Sequence, residues 1–227
     1  MEQTKTTLPD WLERQLSQGR EFRAMVAPME ARADEEQKCV VEGYATTFDQ
    51  FYTLYRWDDY EVQECVDRGA FNGCDMSDFF LQVDHHGKVY ARNRNETLSA
   101  KPDDHGLFCR AELAGVSGGP ELYADVRGGY YDKMSFAFTV KRDKREVIED
   151  HETGKILVKR TILEIAKLFD VSIVSIPAND ATEVSARGLA DGETGWAAQE
   201  LRAYEARRKA KARYIYKLKL MDMEGTK

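Results

Sequence analysis

The stretch Lys133-Met134-Ser135-Phe136-Ala137-Phe138 decides how this chain is interpreted. It places one small hydroxyl inside an apolar run that has the composition of a β-strand, shortly after the flexible Gly128-Gly129 pair. Strand interiors favour β-branched and aromatic side chains, so an unbranched serine at this position calls for a reason. The sequence therefore singles out Ser135 as a candidate functional residue.

Two further polar groups lie beside apolar runs. His85 precedes Ser135 by fifty positions, and Asp170 follows it by thirty-five, at the start of an apolar strand-like run. A hydroxyl, an imidazole and a carboxylate are the parts of an activated serine nucleophile. A triad is defined by geometry and not by sequence separation, so Ser135 as an ordinary core serine and His85 as a structural or surface histidine both stay open.

Composition predicts one domain with an unevenly charged surface. The 227 residues are 42% hydrophobic, which is enough to bury one core. Residues 201–219 hold eight basic side chains and one acidic one, a charge of +7; since the whole chain carries −7, the remainder carries −14. Such a segment can bind an acidic surface, including the chain's own body. It matches no recognised nucleic-acid-binding module, so nucleic acid is not the favoured partner.

The cysteines and the N-terminal segment indicate an intracellular setting. Cys39, Cys65, Cys74 and Cys109 are scattered without a C-x-x-C pair, which predicts reduced thiols and no zinc site. Cys109 alternates with apolar residues, a pattern typical of core packing more than of a nucleophile. No apolar run approaches 18 residues and no signal peptide is evident, so we expect neither secretion nor a membrane span, and no metal or cofactor.

Periodicity and turn residues predict a β-dominated chain with a few helices. The predicted elements are a hairpin of 22–26 with 39–48, a strand over 60–66, a helix from 69 to 81, a hairpin of 97–101 with 106–113, a helix over 118–127, and strands over 135–142, 155–164 and 169–176. We divide the chain into a peripheral segment (1–20), a main domain (21–187), and a linker with a basic helical arm (188–227).

Seven short motifs follow one another along residues 22–187. They are Val41-Glu42-Gly43-Tyr44-Ala45, Gly69-Ala70-Phe71, Asp84-His85, Thr97-Leu98, Asp104-His105-Gly106-Leu107, Met134-Ser135-Phe136-Ala137-Phe138, and Asp170-Val171-Ser172-Ile173-Val174-Ser175-Ile176-Pro177-Ala178. In this order they resemble the head-maturation (prohead) serine proteases of tailed bacteriophages, a family that shares its fold with the herpesvirus assemblins. Each motif is weak alone, and the ordered set is specific.

The resemblance implies a fold and a site. The fold would be β-dominated α+β, a single closed or partly closed β-barrel flanked by a few helices, as in herpesvirus proteases. Ser135 matches the nucleophile, His85 the general base and Asp170 the third member, although His86 is an alternative base or third member, by analogy with assemblins. The analogy also suggests Arg160-Thr161-Ile162 for the oxyanion. The chain departs from the family pattern at Asp84-His85-His86, where the family usually has Asn-His-Asp, and at Ala137, where it usually has Gly.

The resemblance also implies a function. The chain would be a serine endopeptidase that cleaves the scaffolding region of the major capsid protein, and then itself, inside the assembling procapsid in the host cytoplasm. Its basic arm would dock the enzyme there and be removed by self-cleavage, and self-association as a homo-oligomer is compatible with this scheme. The alternative is a capsid assembly or scaffolding module that keeps the fold without the chemistry.

Overall fold

The computed structural model of the protein describes residues 9–25, 29–32, 39–56, 60–150, 154–175 and 195–224. Its elements, in chain order, are α1 (Asp10–Ser17), β1 (Glu21–Met25), β2 (Met29–Arg32), β3 (Val40–Thr47), β4 (Tyr52–Arg56), β5 (Tyr60–Val66), β6 (Phe80–Val83), β7 (His86–Arg92), a 3-10 turn (Asn93–Asn95), β8 (Leu98–Pro102), β9 (Gly106–Glu112), α2 (Gly119–Arg127), β10 (Lys133–Glu149), β11 (Ile156–Val174) and α3 (Trp196–Glu224). Within those ranges, no helix has both the length and the apolar composition needed to cross a lipid bilayer.

The strands form two sheets. The larger has the order β1-β10-β11-β5-β4, with β6 and β7 attached to the C-terminal part of β11. The smaller has the order β2-β3-β9-β8. The long hairpin of β10 and β11 is the centre of the larger sheet, because β11 also pairs in parallel with β5 along one part and with β6 along another.

The predicted β-barrel is not found in the described strands. Closure requires the two edge strands of a sheet to pair through their backbones, and neither sheet joins its edges in this way. The larger sheet instead bends so that a side chain bridges it: Arg23 on β1 reaches Glu64 on β5, with 2.5 Å between Nε and Oε1. The fold is thus β-dominated, with two open sheets and helices at its periphery.

The main core contains residues from both sheets. Its largest buried side chains include Phe136 and Phe138, whose rings stack at 4.4 Å, with Leu107 contributed from β9 and Ile165 from β11. Burial of such side chains, each worth about 1.5–3 kcal/mol, is what holds the two sheets together. A second, smaller apolar cluster of Leu54, Val62, Val158 and Ala197 joins the start of α3 to the larger sheet.

Several predicted elements are confirmed and three are wrong. The hairpin of β8 with β9 and the helix α2 lie where the sequence placed them. The hairpin of 22–26 with 39–48 is wrong, because β1 pairs with β10 and the partner of β3 is β2. The two separate strands predicted within 155–176 are one continuous strand, β11, as far as Val174; the predicted end at residue 176 lies outside the described residues.

The helix predicted over 69–81 is also wrong. Ala70, Asn72 and Cys74 each donate a backbone N–H to the carbonyl three residues before, which gives consecutive tight turns. Gly73 then adopts φ +81°, and the Asp75 N–H bonds to the Ala166 carbonyl on β11 in place of a helical partner. A left-handed glycine and a long-range partner end the turns, and the chain continues as the strand β6.

Candidate active site

One face of the larger sheet gathers small and polar side chains around Ser135. On β10, Ser135 is paired with Ala24 of β1 on one side and with Ser172 of β11 on the other. Directly paired residues point to the same face of a sheet, so these three side chains lie side by side. In the next row Ala137 is paired with Asp170. Ser135 therefore lies on a face that also carries Ala24, Ala137, Ser172 and Asp170.

His85 reaches this face from a two-residue turn. Val83 and His86 are paired across the β6–β7 hairpin, so Asp84 and His85 form its whole connection. Both have positive φ, +50° and +56°, as the central residues of a type I′ turn require, although Asn-Gly is the usual pair there. The turn is held against the end of β11, where the Asp84 N–H donates to the Ile173 carbonyl at 3.0 Å.

The three predicted residues are brought into one chain of hydrogen bonds. His85 Nε2 lies 2.6 Å from Ser135 Oγ, and His85 Nδ1 lies 2.5 Å from Asp170 Oδ1. Ser135 and Asp170 are buried, each 2% exposed. A carboxylate is an acceptor only, so it selects the tautomer with a proton on Nδ1 and leaves Nε2 free to accept the serine proton. The arrangement can deprotonate a hydroxyl as it attacks an electrophile.

The neighbouring His86 takes no part in this chain. Its side chain is exposed at the start of β7, where its ring packs against Trp11 of α1 at 4.8 Å between centroids. Phe22, by contrast, packs against His85 in a T-shaped arrangement, with 4.7 Å between the ring centroids. The structure therefore places the ring of His85, and not that of His86, between Ser135 and Asp170.

Arg20 is the cation that acts on the carboxylate end of the chain. Its guanidinium carbon lies 3.9 Å from the centre of the ring of Phe169, the residue that precedes Asp170. Partial burial lowers the pKa of Arg20, and the charge of Asp170 opposes that effect. Arg20 lies three residues after the end of α1, so the N-terminal segment, which was predicted to be peripheral, contributes Trp11 and Arg20 next to the site.

Two other candidates, a three-residue segment and a cysteine, lie away from Ser135. The segment Arg160-Thr161-Ile162 pairs with β5 and with the distal part of β10, ten or more residues along β11 from Ser172, the partner of Ser135. Its amides belong to the strand ladders there, so the structure does not place it as an oxyanion site. Cys109 is buried in the core, and burial raises the pKa of its thiol to about 12, which opposes a nucleophilic thiolate.

Sequence reasoning missed Ser172. Its hydroxyl donates to Asp170 Oδ1 at 2.9 Å and accepts the backbone N–H of His85 at 3.2 Å. The signal was present, because residues two apart on a strand share a face and Ser172 follows Asp170 by two. In the described part of the chain, no group of three or more His, Cys, Asp or Glu side chains is arranged to hold a metal ion.

A second buried polar centre, here called the ion cluster, consists of Glu21, Arg23, Glu64, Asp143 and Arg160. Arg23 bonds both Glu64 and Glu21, and Arg160 bonds Glu64 at 3.0 Å, Glu21 at 2.6 Å and Asp143 at 2.6 Å. Burial opposes ionisation of Glu21, but Arg23 and Arg160 outweigh it and lower its pKa to about 2. The cluster joins β1, β5, β10 and β11.

The C-terminal helix docks beside the ion cluster through its first turns. Trp196 lies 5.2 Å from the guanidinium of Arg160 and 5.3 Å from that of Arg145. Tyr204 donates a hydrogen bond to Glu149 at the end of β10. From residue 205 to 215 every described side chain of α3 is exposed. The described side chains thus attach α3 to the body through its first turns, and Arg208 adds an ion pair with Glu149 at 3.5 Å.

One family model matches most of the chain, and two known proteins are similar to it over part of its length. A family model described as caudovirus prohead serine protease matches residues 27–194, well over half of the chain. The prohead protease of Enterobacteria phage HK97 is 32% identical over 95 residues, which are 41% of this chain and 39% of that protein, so the match spans about two fifths of that relative. The solved capsid assembly protease of bacteriophage T4 is 12% identical, with a TM-score of 0.37 over 68% of this chain and 96% of that one. A TM-score this low does not establish a shared fold.

Proposed function

This chain belongs to the caudovirus prohead serine protease family, and we propose that it is a serine endopeptidase of capsid maturation in which Ser135, His85 and Asp170 form the catalytic triad. The observation that carries the proposal is the unbroken hydrogen-bond chain from the Ser135 hydroxyl through the His85 imidazole to the Asp170 carboxylate. A serine used only for packing needs no such chain, because a neighbouring carbonyl would satisfy its hydroxyl.

The proposed reaction follows from that geometry. Ser135 Oγ attacks the carbonyl carbon of the scissile peptide as its proton passes to His85 Nε2. Asp170 keeps the ring oriented and stabilises the imidazolium that forms. His85 then returns the proton to the departing amine as the C–N bond breaks and an acyl-enzyme remains. A water molecule, deprotonated by His85, attacks the ester and releases the acid product and the serine.

We propose that the substrate is the scaffolding region of the major capsid protein, cleaved inside the assembling procapsid in the host. Support comes from the family and from the name of the HK97 relative, a prohead protease. Confinement in a procapsid would limit damage to host proteins. The chain itself is the second proposed substrate: α3 packs on the body through Trp196, Ala197 and Leu201, and a cut in residues 188–195 or within the helix would release its basic segment.

The test is co-expression of the wild-type chain with the capsid protein of the same phage, followed by intact-mass spectrometry of both proteins. We expect a shortened capsid protein and loss of the C-terminal arm from the protease. Ser135→Ala removes one oxygen without strain, so it should leave both proteins at full length and the protease folded. Unprocessed capsid protein with the wild-type chain, or equal processing with Ser135→Ala, would overturn the proposal in favour of a non-enzymatic assembly module.

A further inference from the structure

The turn that carries His85 is under backbone constraint and therefore needs to be held. Asp84 and His85 both have positive φ, a conformation that residues with a Cβ adopt at a cost. A hydrogen bond from the Asp84 N–H fixes the first residue of the turn to β11. For His85 the corresponding bond is unusual, since its N–H donates to a side chain, the hydroxyl of Ser172, at 3.2 Å.

That hydroxyl is also bound to the acidic member of the proposed triad. Ser172 donates at 2.9 Å to Oδ1 of Asp170, the same oxygen that accepts His85 Nδ1–H at 2.5 Å. The three residues form a closed ring: the His85 N–H binds the Ser172 oxygen, the Ser172 O–H binds Asp170, and Asp170 binds the His85 side chain. Ser172 is 0% exposed, so water does not compete for these positions.

We propose that Ser172 is a positioning residue of this protease, whose hydroxyl couples the main chain of His85 to the carboxylate that orients its imidazole. The catalytic importance of Ser172 rests on the proposed function, whereas the ring of hydrogen bonds is observed in the structure itself. Ser172 would not touch substrate. It restrains the backbone of His85 directly and its imidazole ring through Asp170, so that the ring is held in the orientation in which Nε2 faces Ser135.

The ring explains why a serine, and not a larger apolar residue, occupies a fully buried position opposite Ser135. A hydroxyl both accepts and donates, and the ring needs one of each at a single atom. Without it, Asp170 loses one donor and the His85 N–H loses its acceptor. A buried group left unpaired in this way is costly and invites rearrangement of the turn.

The experiment uses a fluorophosphonate probe, which reacts with activated serines, and separates its binding constant from its maximal labelling rate. For Ser172→Ala we expect the maximal rate to fall about 10- to 100-fold with little change in probe binding, because orientation is lost and the probe site is not. Ser172→Thr and Ser172→Val are the matched pair, nearly equal in shape and different in the hydroxyl. The threonine should keep most of the rate that the valine loses.

A second readout does not need activity. The His85 Nδ1 proton, bound to Asp170, should give a downfield proton NMR resonance in the wild type, which Ser172→Ala and Ser172→Val should shift or broaden and Ser172→Thr should preserve. If threonine and valine fail to fold, the alanine variant decides by the same two measurements. A rate and a resonance unchanged in Ser172→Ala, or equal losses for threonine and valine, would overturn the inference.

The two proposals fail in distinguishable ways. A wild-type chain that is never labelled, or a Ser135→Ala chain that is labelled equally, contradicts the proposed function, and the NMR comparison still decides whether Ser172 holds His85. Labelling that requires Ser135, His85 and Asp170 but is indifferent to the Ser172 hydroxyl contradicts the positioning role alone.

Discussion

The triad face and the ion cluster lie on opposite faces of the same short strand. From β1, Phe22 points to His85, while Glu21 and Arg23 point to the cluster. Both regions are buried and polar, and both join β1, β10 and β11. They differ in charge pairing. Each carboxylate of the cluster faces a guanidinium, whereas the hydrogen-bond chain of the triad ends at the neutral hydroxyl of Ser135. Buried polar side chains are thus fully charge-paired in the ion cluster, where we expect them to serve stability, and end at an uncharged hydroxyl on the triad face, where we expect them to serve chemistry.

The sharpest way to break this comparison is to remove the base. His85→Ala should lower the rate of proteolysis by roughly 10⁴-fold or more, because nothing else within the chain of hydrogen bonds can take the serine proton. His86→Ala is the matched control, one residue away on the other side of the turn, and should stay close to the wild-type rate. Capsid-precursor cleavage measured on purified proteins decides, and a more severe effect from His86→Ala would shift the site by one residue.

The orienting carboxylate should contribute less than the base. Asp170→Asn keeps the shape but loses the charge that stabilises the imidazolium, and we expect a loss of about 10²- to 10⁴-fold. Asp84→Asn, which restores the residue usual in the family, is a control that should change the rate little. A fully active Asp170→Asn chain would remove Asp170 from the proposed triad.

The ion cluster should respond in stability and not in chemistry. Glu64→Gln leaves Arg23 and Arg160 facing a neutral amide, and loss of one partner from a buried pair costs about 3–5 kcal/mol of the free energy of unfolding. Glu164→Gln, which removes the partner of Lys141 and Arg142 at the protein surface, should cost much less. Urea unfolding in the Ser135→Ala background gives both values without self-cleavage. Equal losses in the free energy of unfolding for the two variants would show that the ion cluster contributes no more to stability than a surface ion pair does.

Acid titration of the ion cluster should give the smallest change in the free energy of unfolding, and it tests one residue, Glu21. The pKa of Glu21 is about 2 in the folded chain and about 4.5 in its ordinary state, so its contribution is fully present above pH 4.5 and is lost as the pH falls towards 2. Integrated over that window, the loss is about 2–3 kcal/mol. Glu21→Gln should be less stable at pH 6 and should lose less on acidification than its parent, as measured by urea unfolding at each pH. Parallel acid profiles for the two chains would contradict the assignment.

The sequence allowed prediction of the site more accurately than of the fold around it. Ser135, His85 and Asp170 stand in short motifs with fixed local spacing, and the structure brings them within hydrogen-bond distance, while their catalytic role remains a prediction. Ser172 was missed although it shares a strand face with Asp170, because that spacing indicates proximity but not the hydrogen bond to the backbone of His85, eighty-seven positions away.

Features that depend on distant partners could not be predicted in this way. β1 looks like half of a hairpin with the next strand, but its partner lies more than a hundred residues away on β10. The ion cluster joins Glu21 to Arg160 across 139 positions, so no window of sequence contains it. The barrel was predicted through the family resemblance, but the edge strands of the larger sheet do not pair, and Arg23 on β1 instead reaches Glu64 on the inner strand β5.

The central claim is that Ser135 is an activated serine, and the most direct test is to map where a fluorophosphonate attaches. Wild-type chain, Ser135→Ala and His85→Ala would each be incubated with the probe, digested and analysed by peptide mass spectrometry. The account predicts one adduct, on Ser135, in the folded wild type, none in Ser135→Ala, and a strongly reduced amount in His85→Ala. An adduct on another residue, or equal labelling of wild type and Ser135→Ala, would contradict it.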